Sequence, residues 1–458
     1  MVNTGDTAWV LTSAALVLLM TPGLALFYGG MVRSKSVLNM MMMSFGALAL
    51  ISVLWVLYGY SIAFGDDLGG GLVGDPTQFF GLKGMMADVT SEGGGLPPMA
   101  FVAFQSVFAI VTVALISGAI ADRAKFGTWM LFAGIWATVV YFPIAHWVFD
   151  FSTDTHVGGW VANQLLAIDF AGGTAVHINA GAAGLALALV LGRRKGFGRE
   201  AMRPHNLPLV MIGAGLLWFG WFGFNAGSAL GANNTAAVTF MNTIVATAAA
   251  VLGWLVTEKV RDGHATSLGA ASGVVAGLVA ITPACSALSP VGSIILGAVA
   301  GVLCALAVGL KYKLGYDDSL DVVGVHLGGG LVGTIGIGFL ATSAAPAGVD
   351  GLFYGGGVDQ LWRQVVGALA VMVVSFVATY VIGAILQKTV GFRIDEEDEV
   401  AGIDLVVHAE TGYDLHSTAG ARSSGNPALV DAAQDNAALD NAALDNKGGA
   451  VNERKVTA

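Results

Sequence analysis

Charge is what this chain has least of. Only 11% of its 458 residues are charged, against about 25% in soluble globular chains. That excludes a set of ordinary soluble domains, and with 55% hydrophobic residues it puts the chain in a bilayer as one transmembrane unit. Cysteine is nearly missing. Cys285 and Cys304 sit in or beside apolar runs, with no metal-ligand spacing and no disulfide framework. Basic residues are the minority, 21 Lys and Arg against 31 Asp and Glu, so nucleic acid is not an expected partner. The opening stretch "MVNTGDTAWVLTSAALVLLM" lacks a basic n-region and reads as a retained span rather than a cleaved signal.

Long apolar runs and glycine are abundant. The 65 glycines suit helices whose backbones pack closely in lipid. A helix needs about 20 mostly apolar residues to cross the hydrocarbon. Eleven runs qualify: 8–31, 37–64, 99–121, 127–149, 160–191, 207–229, 236–258, 267–284, 291–310, 322–342 and 362–388. They are far too long for barrel strands, so the expected fold is an all-α integral membrane protein. Basic residues set the orientation. Arg33 and Lys35, Arg123 and Lys125, "GRRKGFGREAMR", Lys259 and Arg261, and Lys311 and Lys313 follow the odd-numbered spans. The loop from Gly65 to Pro98 carries Asp66, Asp67, Asp75, Asp88 and Glu92 against Lys83 alone. This bias predicts an outer N-terminus and a cytoplasmic C-terminus. A count of five plus five plus one also fits an inverted repeat with a site near the midplane, and His177 and His326 fall at corresponding places in spans five and ten.

Three domains are expected: a transmembrane unit over 1–390, an acidic, moderately apolar cytoplasmic tail over 391–416, and a low-complexity end over 417–458 that repeats "DNAALDNAALDN" and cannot bury enough apolar surface to order itself.

Of eight histidines, His177 and His326 alone lie well inside spans; His146 is near the outer end of span four. Polar groups at bilayer depth are costly and mark function by default. The pair can be two satisfied interior side chains. It can instead line a path for a small polar molecule or relay a proton, since burial favours neutral rings, each with one donor and one acceptor. A di-histidine metal site is a third option, and it lacks a third ligand at useful spacing. Asp169 precedes His177 by eight residues, about 12 Å and roughly 80° along a helix. It either ties down loose backbone amides or offers its charge to a cation on the same path. "GLLWFGWFGFNAGSAL" sets aromatics before Ser228, and "FVAFQSVFAIVTVALISGAIADR" adds Phe104 and Phe108. Such stripes are packing or, where water is excluded, cation–π surfaces worth about 2 kcal/mol.

The segments "TPGLALFYGGMVRSKSVLN", "AFQSVFAIVTVALISGAIADR", "PIAHWVF", "DFAGGTAVHINAG", "WFGFNAGSA", "TPAC" and "DVVGVHLGGGLVG" together resemble the ammonium transporter family (Amt/Mep/Rh), bacterial Amt type. The resemblance covers about residues 8 to 390, and Gly391 to Tyr413 resembles the family's cytoplasmic tail. It implies eleven helices with a five-plus-five pseudo-twofold repeat, a homotrimer in the plasma membrane serving nitrogen uptake, and one pore per subunit. It implies His177 and His326 as the pore's twin histidines, an outer ammonium site of Ser228, Asp169, Phe108 and Phe149, a gate of Phe108 and Phe224, and pore lining by Trp221 and Gln105. Ammonium or methylammonium is the implied substrate, with no cofactor, no metal and no enzymatic step. A PII-type signalling protein is the implied partner on the cytoplasmic face. One departure stands out: the family commonly has tryptophan where this chain has Phe149, a weaker cation–π partner, with Trp147 and Trp160 nearby as alternatives. Two other readings use the same residues, an ammonium sensor signalling through the tail and a membrane enzyme with a metal at the histidines.

Overall fold

The computed structural model describes residues 2–86 and 95–413. They are all-helical: α1 (Thr4–Met31), α2 (Ser34–Phe64), α3 (Pro98–Ile120), α4 (Phe126–Phe149), α5 (Gly173–Leu191), α6 (Leu207–Ala229), α7 (Asn234–Asp262), α8 (Ser267–Ile281), α9 (Pro290–Leu314), α10 (Val323–Leu340) and α11 (Asp359–Thr389). Ten are long and apolar enough to cross a membrane, and α8 is the shorter one. Its 15 residues span about 22 Å, less than a ~30 Å hydrocarbon core. The chain continues from it as buried turns over 282–288, where the sequence predicts helix to 284.

The helix starts have local causes. Asn3, Asn233, Thr266 and Ser289 accept hydrogen bonds from backbone N–H groups of the first turn of α1, α7, α8 and α9, supplying partners those amides lack. Pro98 and Pro290 stand in the first turn of α3 and α9, where a missing N–H costs nothing. Wider turns interrupt α2 at Trp55–Gly59 and α4 at Ala137–Tyr141; the second lies just before Pro143, which has no N–H to continue the ladder.

The largest departure from expectation is span five. Periodicity predicts one helix over 160–191. Instead the chain makes a wide turn at Val161–Leu165, enters left-handed backbone at Leu166 (φ 58°), and reaches Gly172 at φ 119° before α5 begins. The cause is Asp169, whose carboxylate captures the amides that would otherwise extend a helix backwards, together with glycines that bend without steric penalty. Gly173 is also a close approach: a Cβ there would meet the Pro283 ring, so the start of α5 seats directly on the turn that follows α8.

Packing pairs the helices in two matching sets. α1 lies against α6. α2 and α3 flank α1 as α7 and α8 flank α6. α3 packs on α5 as α8 packs on α10, and α2 on α4 as α7 on α9. α11 lies across α5, α10 and α4.

At the end carrying the basic loops, charges are buried. Arg194 holds Asp317 through Nε and Nη2 at 2.9 Å and Asp122 at 3.0 Å. Arg123, fully buried, donates to Asp317 O at 2.6 Å and to Ser319 Oγ at 2.5 Å. Burial pulls the Arg123 guanidinium down to about 10 against the pull of Asp317. Burial works against the Asp317 carboxylate too, but Arg194 and Arg123 hold it below the usual range. The segment after α11 docks at this end. Glu399 accepts from Lys195 N (2.7 Å) and Arg393 (2.8 Å). Asp404 accepts from Leu38 N (2.9 Å) and Asn39 N (2.8 Å), capping the start of α2. This body runs to Glu410. The disorder expected over 417–458 falls outside the described residues, as do Asp88 and Glu92.

Candidate functional site

His177 and His326 each sit on a wide turn at the start of a helix, Gly173–Ile178 and Val323–Leu327. A turn with the i→i+5 pattern shifts the side-chain register and is often found at functional positions. The two rings face each other, Nδ1 to Nδ1 at 3.3 Å, centroids 5.4 Å apart and 24° from parallel. That distance requires one ring to donate and the other to accept, which two neutral imidazoles can do. They line a narrow cleft of about 10 Å³ with Met20, Leu24, Val111, Leu217 and Trp221, room for roughly one water-sized molecule. Trp221 stacks on His177 at 5.3 Å and 20° and donates from its indole to Thr282 Oγ1 at 2.8 Å. Thr282 belongs to the "TPAC" turn, so that segment fixes the tryptophan that backs the histidine. Among the described residues no group of three His, Cys, Asp or Glu stands where it could hold a metal.

One end of the cleft is closed by Phe224, whose ring lies 4.3 Å from that of Phe108 at 34°. Both are buried. Phe108 also lines a second, larger cavity of about 580 Å³, so the stacked pair is the partition between the two. This vestibule contains Ser228, Phe149 and Gln105 together with Tyr60, Phe101, Phe151 and Phe170. Phe149 meets Phe108 edge-on at 6.3 Å. The Ser228 hydroxyl donates to Phe224 O at 2.8 Å, which leaves its lone pairs as acceptors. Phe101, Gln105 and Phe108 follow a helical stripe, which is why α3 presents them together. Trp147 and Trp160 are not among the lining residues. They pack on each other at 5.7 Å, and the Trp147 indole donates to Leu72 O at 2.7 Å.

Asp169 is elsewhere than a helical spacing implies. It precedes α5, lines neither cavity, and spends both oxygens on the chain that opens α5. Oδ1 accepts from Gly172 N (2.8 Å) and Gly173 N (2.6 Å), Oδ2 from Thr174 N (2.7 Å), Ala175 N (3.2 Å) and the Thr174 hydroxyl. The loose-amide alternative describes its contacts. Asp318, which sequence reasoning passed over, does the same for α10, accepting from Val322 N at 3.1 Å and Val323 N at 2.7 Å. Burial pushes its carboxyl up to about 6, with Lys311 opposing and Asp321 adding to the rise. Each aspartate lies eight residues before its histidine, and the third residue after each, Gly172 or Asp321, has positive φ. The shared spacing was the available signal.

Also missed were the charged groups of the vestibule wall, Asp66, Asp150 and His156. They come from two loops far apart in sequence, and no local pattern marks them.

The model of the Ammonium Transporter Family matches residues 8–413. An ammonium transporter of Mycobacterium tuberculosis is 62% identical over 438 residues, 91% of this chain and 92% of that one. One of Bacillus subtilis is 48% identical over 413 residues, 89% and 98% of the two chains. Among solved structures, Candida albicans Mep2 superposes with a TM-score of 0.78 at 34% identity, covering 87% of this chain and 88% of that one. A protein described as a sensor Amt protein gives 0.80 at 27% identity, covering 88% and 98%. With the paired-histidine cleft, the phenylalanine partition and these matches together, the chain belongs to the ammonium transporter family.

Proposed function

We propose that this chain carries ammonium across the bacterial plasma membrane for nitrogen uptake, passing it through the cleft as ammonia, with the proton moving separately. The observation that carries the reading is the contact of two histidine rings at 3.3 Å inside a cleft of about 10 Å³. A dry apolar passage rejects an ion, because stripping its water is not repaid. Ammonium and potassium are similar in charge and size, but only ammonium can give up a proton and enter as a neutral molecule. The vestibule gathers the cation on the faces of Phe108 and Phe149 and the lone pairs of Ser228, with Gln105 beside it. Phe108 and Phe224 shut out bulk water as the proton leaves. Ammonia then moves along His177 and His326, with Trp221 as the facing wall, and is reprotonated inside. Asp169 serves this by holding the start of α5, and so His177, in place.

The inverted five-plus-five repeat is supported by the matching helix pairs and the matched aspartate–histidine spacings. In this reading α8 and its turn make the eleventh crossing, the N-terminus is outside, and the basic loops and the tail over 391–416 are cytoplasmic. A homotrimer and a PII-type partner regulating through that tail are part of the proposal on the family resemblance. Substituting His177→Ala and recording methylammonium currents in liposomes tests the pathway. A loss of most of the current is expected, and an undiminished, still selective current contradicts it.

A further inference from the structure

Phe108, Phe149 and Ser228 offer a cation aromatic faces and lone pairs but no charge, and Asp169 is committed to backbone amides. The charged or imidazole side chains among the described residues lining the vestibule are Asp66, Asp150 and His156. His156 stands between the two carboxylates. Its Nδ1 is 2.6 Å from Asp66 Oδ1, and its Nε2 is 2.9 and 2.8 Å from the two oxygens of Asp150. An ionised carboxylate only accepts hydrogen bonds, and a neutral imidazole has a single N–H. With the ring neutral, one nitrogen would point a lone pair at a carboxylate oxygen. The arrangement is therefore that of an imidazolium holding two acids. Asp150 is also within 3.1 Å of His146 Nδ1 on α4, and His146 Nε2 is 3.4 Å from Asp67. Tyr60 on α2 lines the same vestibule.

We infer that His156 governs cation recruitment: protonated, it occupies both Asp66 and Asp150; deprotonated, it leaves their charge to draw ammonium into the vestibule. The inference rests on the vestibule being the entry. Burial opposes the charged ring, but the two carboxylates outweigh it and hold the His156 pKa above the ordinary imidazole value. The vestibule thus gains a full negative charge as pH rises through that raised pKa. Asp66 is the outermost of the three, its side chain 59% exposed against 7% for Asp150, so it is the first to meet a cation arriving from solution.

The test is methylammonium uptake into proteoliposomes, with equal pH on both sides, over about pH 5 to 8. Methylammonium keeps its proton throughout that range, so substrate charge stays constant. The wild type should show an apparent KM that falls roughly three- to tenfold as pH rises, the size of one added charge at vestibule distances, with little change in maximal rate. His156→Gln should give a flat KM profile at the low end. Asp66→Asn, at an exposed side chain, removes one of the two charges but leaves the His156–Asp150 pair, so KM should be raised throughout while the fall with pH persists, its midpoint moved to lower pH. A wild-type slope retained in His156→Gln, or a KM unchanged in Asp66→Asn, overturns the inference. Phe149→Leu in the same assay separates it from the reading beneath it. If Phe149→Leu raises KM while His156→Gln keeps the wild-type slope, the role of His156 alone is wrong. If Phe149→Leu leaves KM unchanged, the vestibule is not the entry.

Discussion

Phe149 and Ala409 are positions where one side chain has a definite consequence. Phe149 forms part of the vestibule wall beside Phe108, and a larger indole face there binds a cation more strongly. Phe149→Trp should lower the apparent KM for methylammonium by roughly two- to fivefold, about 0.5–1 kcal/mol, read from uptake at fixed pH. Ala409 sits at φ 55° at the end of the turn whose Asp404 caps α2. A left-handed alanine costs about 1 kcal/mol that glycine does not. Ala409→Gly should raise the melting temperature of the detergent-solubilised protein; a lowered one would show that the relief is smaller than the cost of glycine's greater freedom in the unfolded chain.

The starts of α5 and α10 are held by carboxylates rather than by side-chain packing alone. Removing Asp169 leaves four amides at a buried helix start without their acceptor, and removing Asp318 leaves two. Each lost partner costs about 1–3 kcal/mol where water cannot replace it. Asp169→Ala should therefore destabilise more than Asp318→Ala, and Asp169→Asn, which keeps one acceptor oxygen, should lie closer to wild type in thermal unfolding. Equal losses from all three would contradict capping as the role. These breaks show what hydropathy hides. The run 160–191 is apolar whether or not it is helical, so the bend at Leu166 to Gly172 leaves no mark on its periodicity. The ten long helices, by contrast, were legible because crossing hydrocarbon demands length and apolarity, and both are counted directly from residues. His177 and His326 stood out singly because polar groups at depth are expensive. Their 3.3 Å contact is tertiary, and so is the meeting of Tyr60, Phe101, Phe151 and His156 from separated segments.

At the scale of the whole molecule, buried charge ties the helix ends together, while the histidine cleft is lined by no Asp, Glu, Lys or Arg. Arg194 joins the segment after α5 to Asp122 after α3 and to Asp317 before α10. Arg194→Ala would leave both acids buried without that partner, a loss of about 3–5 kcal/mol, read as a large drop in thermal stability even where His177 and Phe108 are untouched; a drop within measurement error would mean that Arg33, 3.4 Å from Asp122, and Arg123, 3.9 Å from Asp317, suffice. The proposed selectivity rests on the same division: charged side chains lie at the vestibule wall and at the basic end, and none of Asp, Glu, Lys or Arg lines the cleft between. The most direct measurement is a solid-supported-membrane recording on the purified protein, with an ammonium jump compared with an equal potassium jump. A signal from ammonium and none from potassium is the expected result. A potassium signal of similar size would mean that an intact cation passes the histidine pair, and would contradict passage as ammonia.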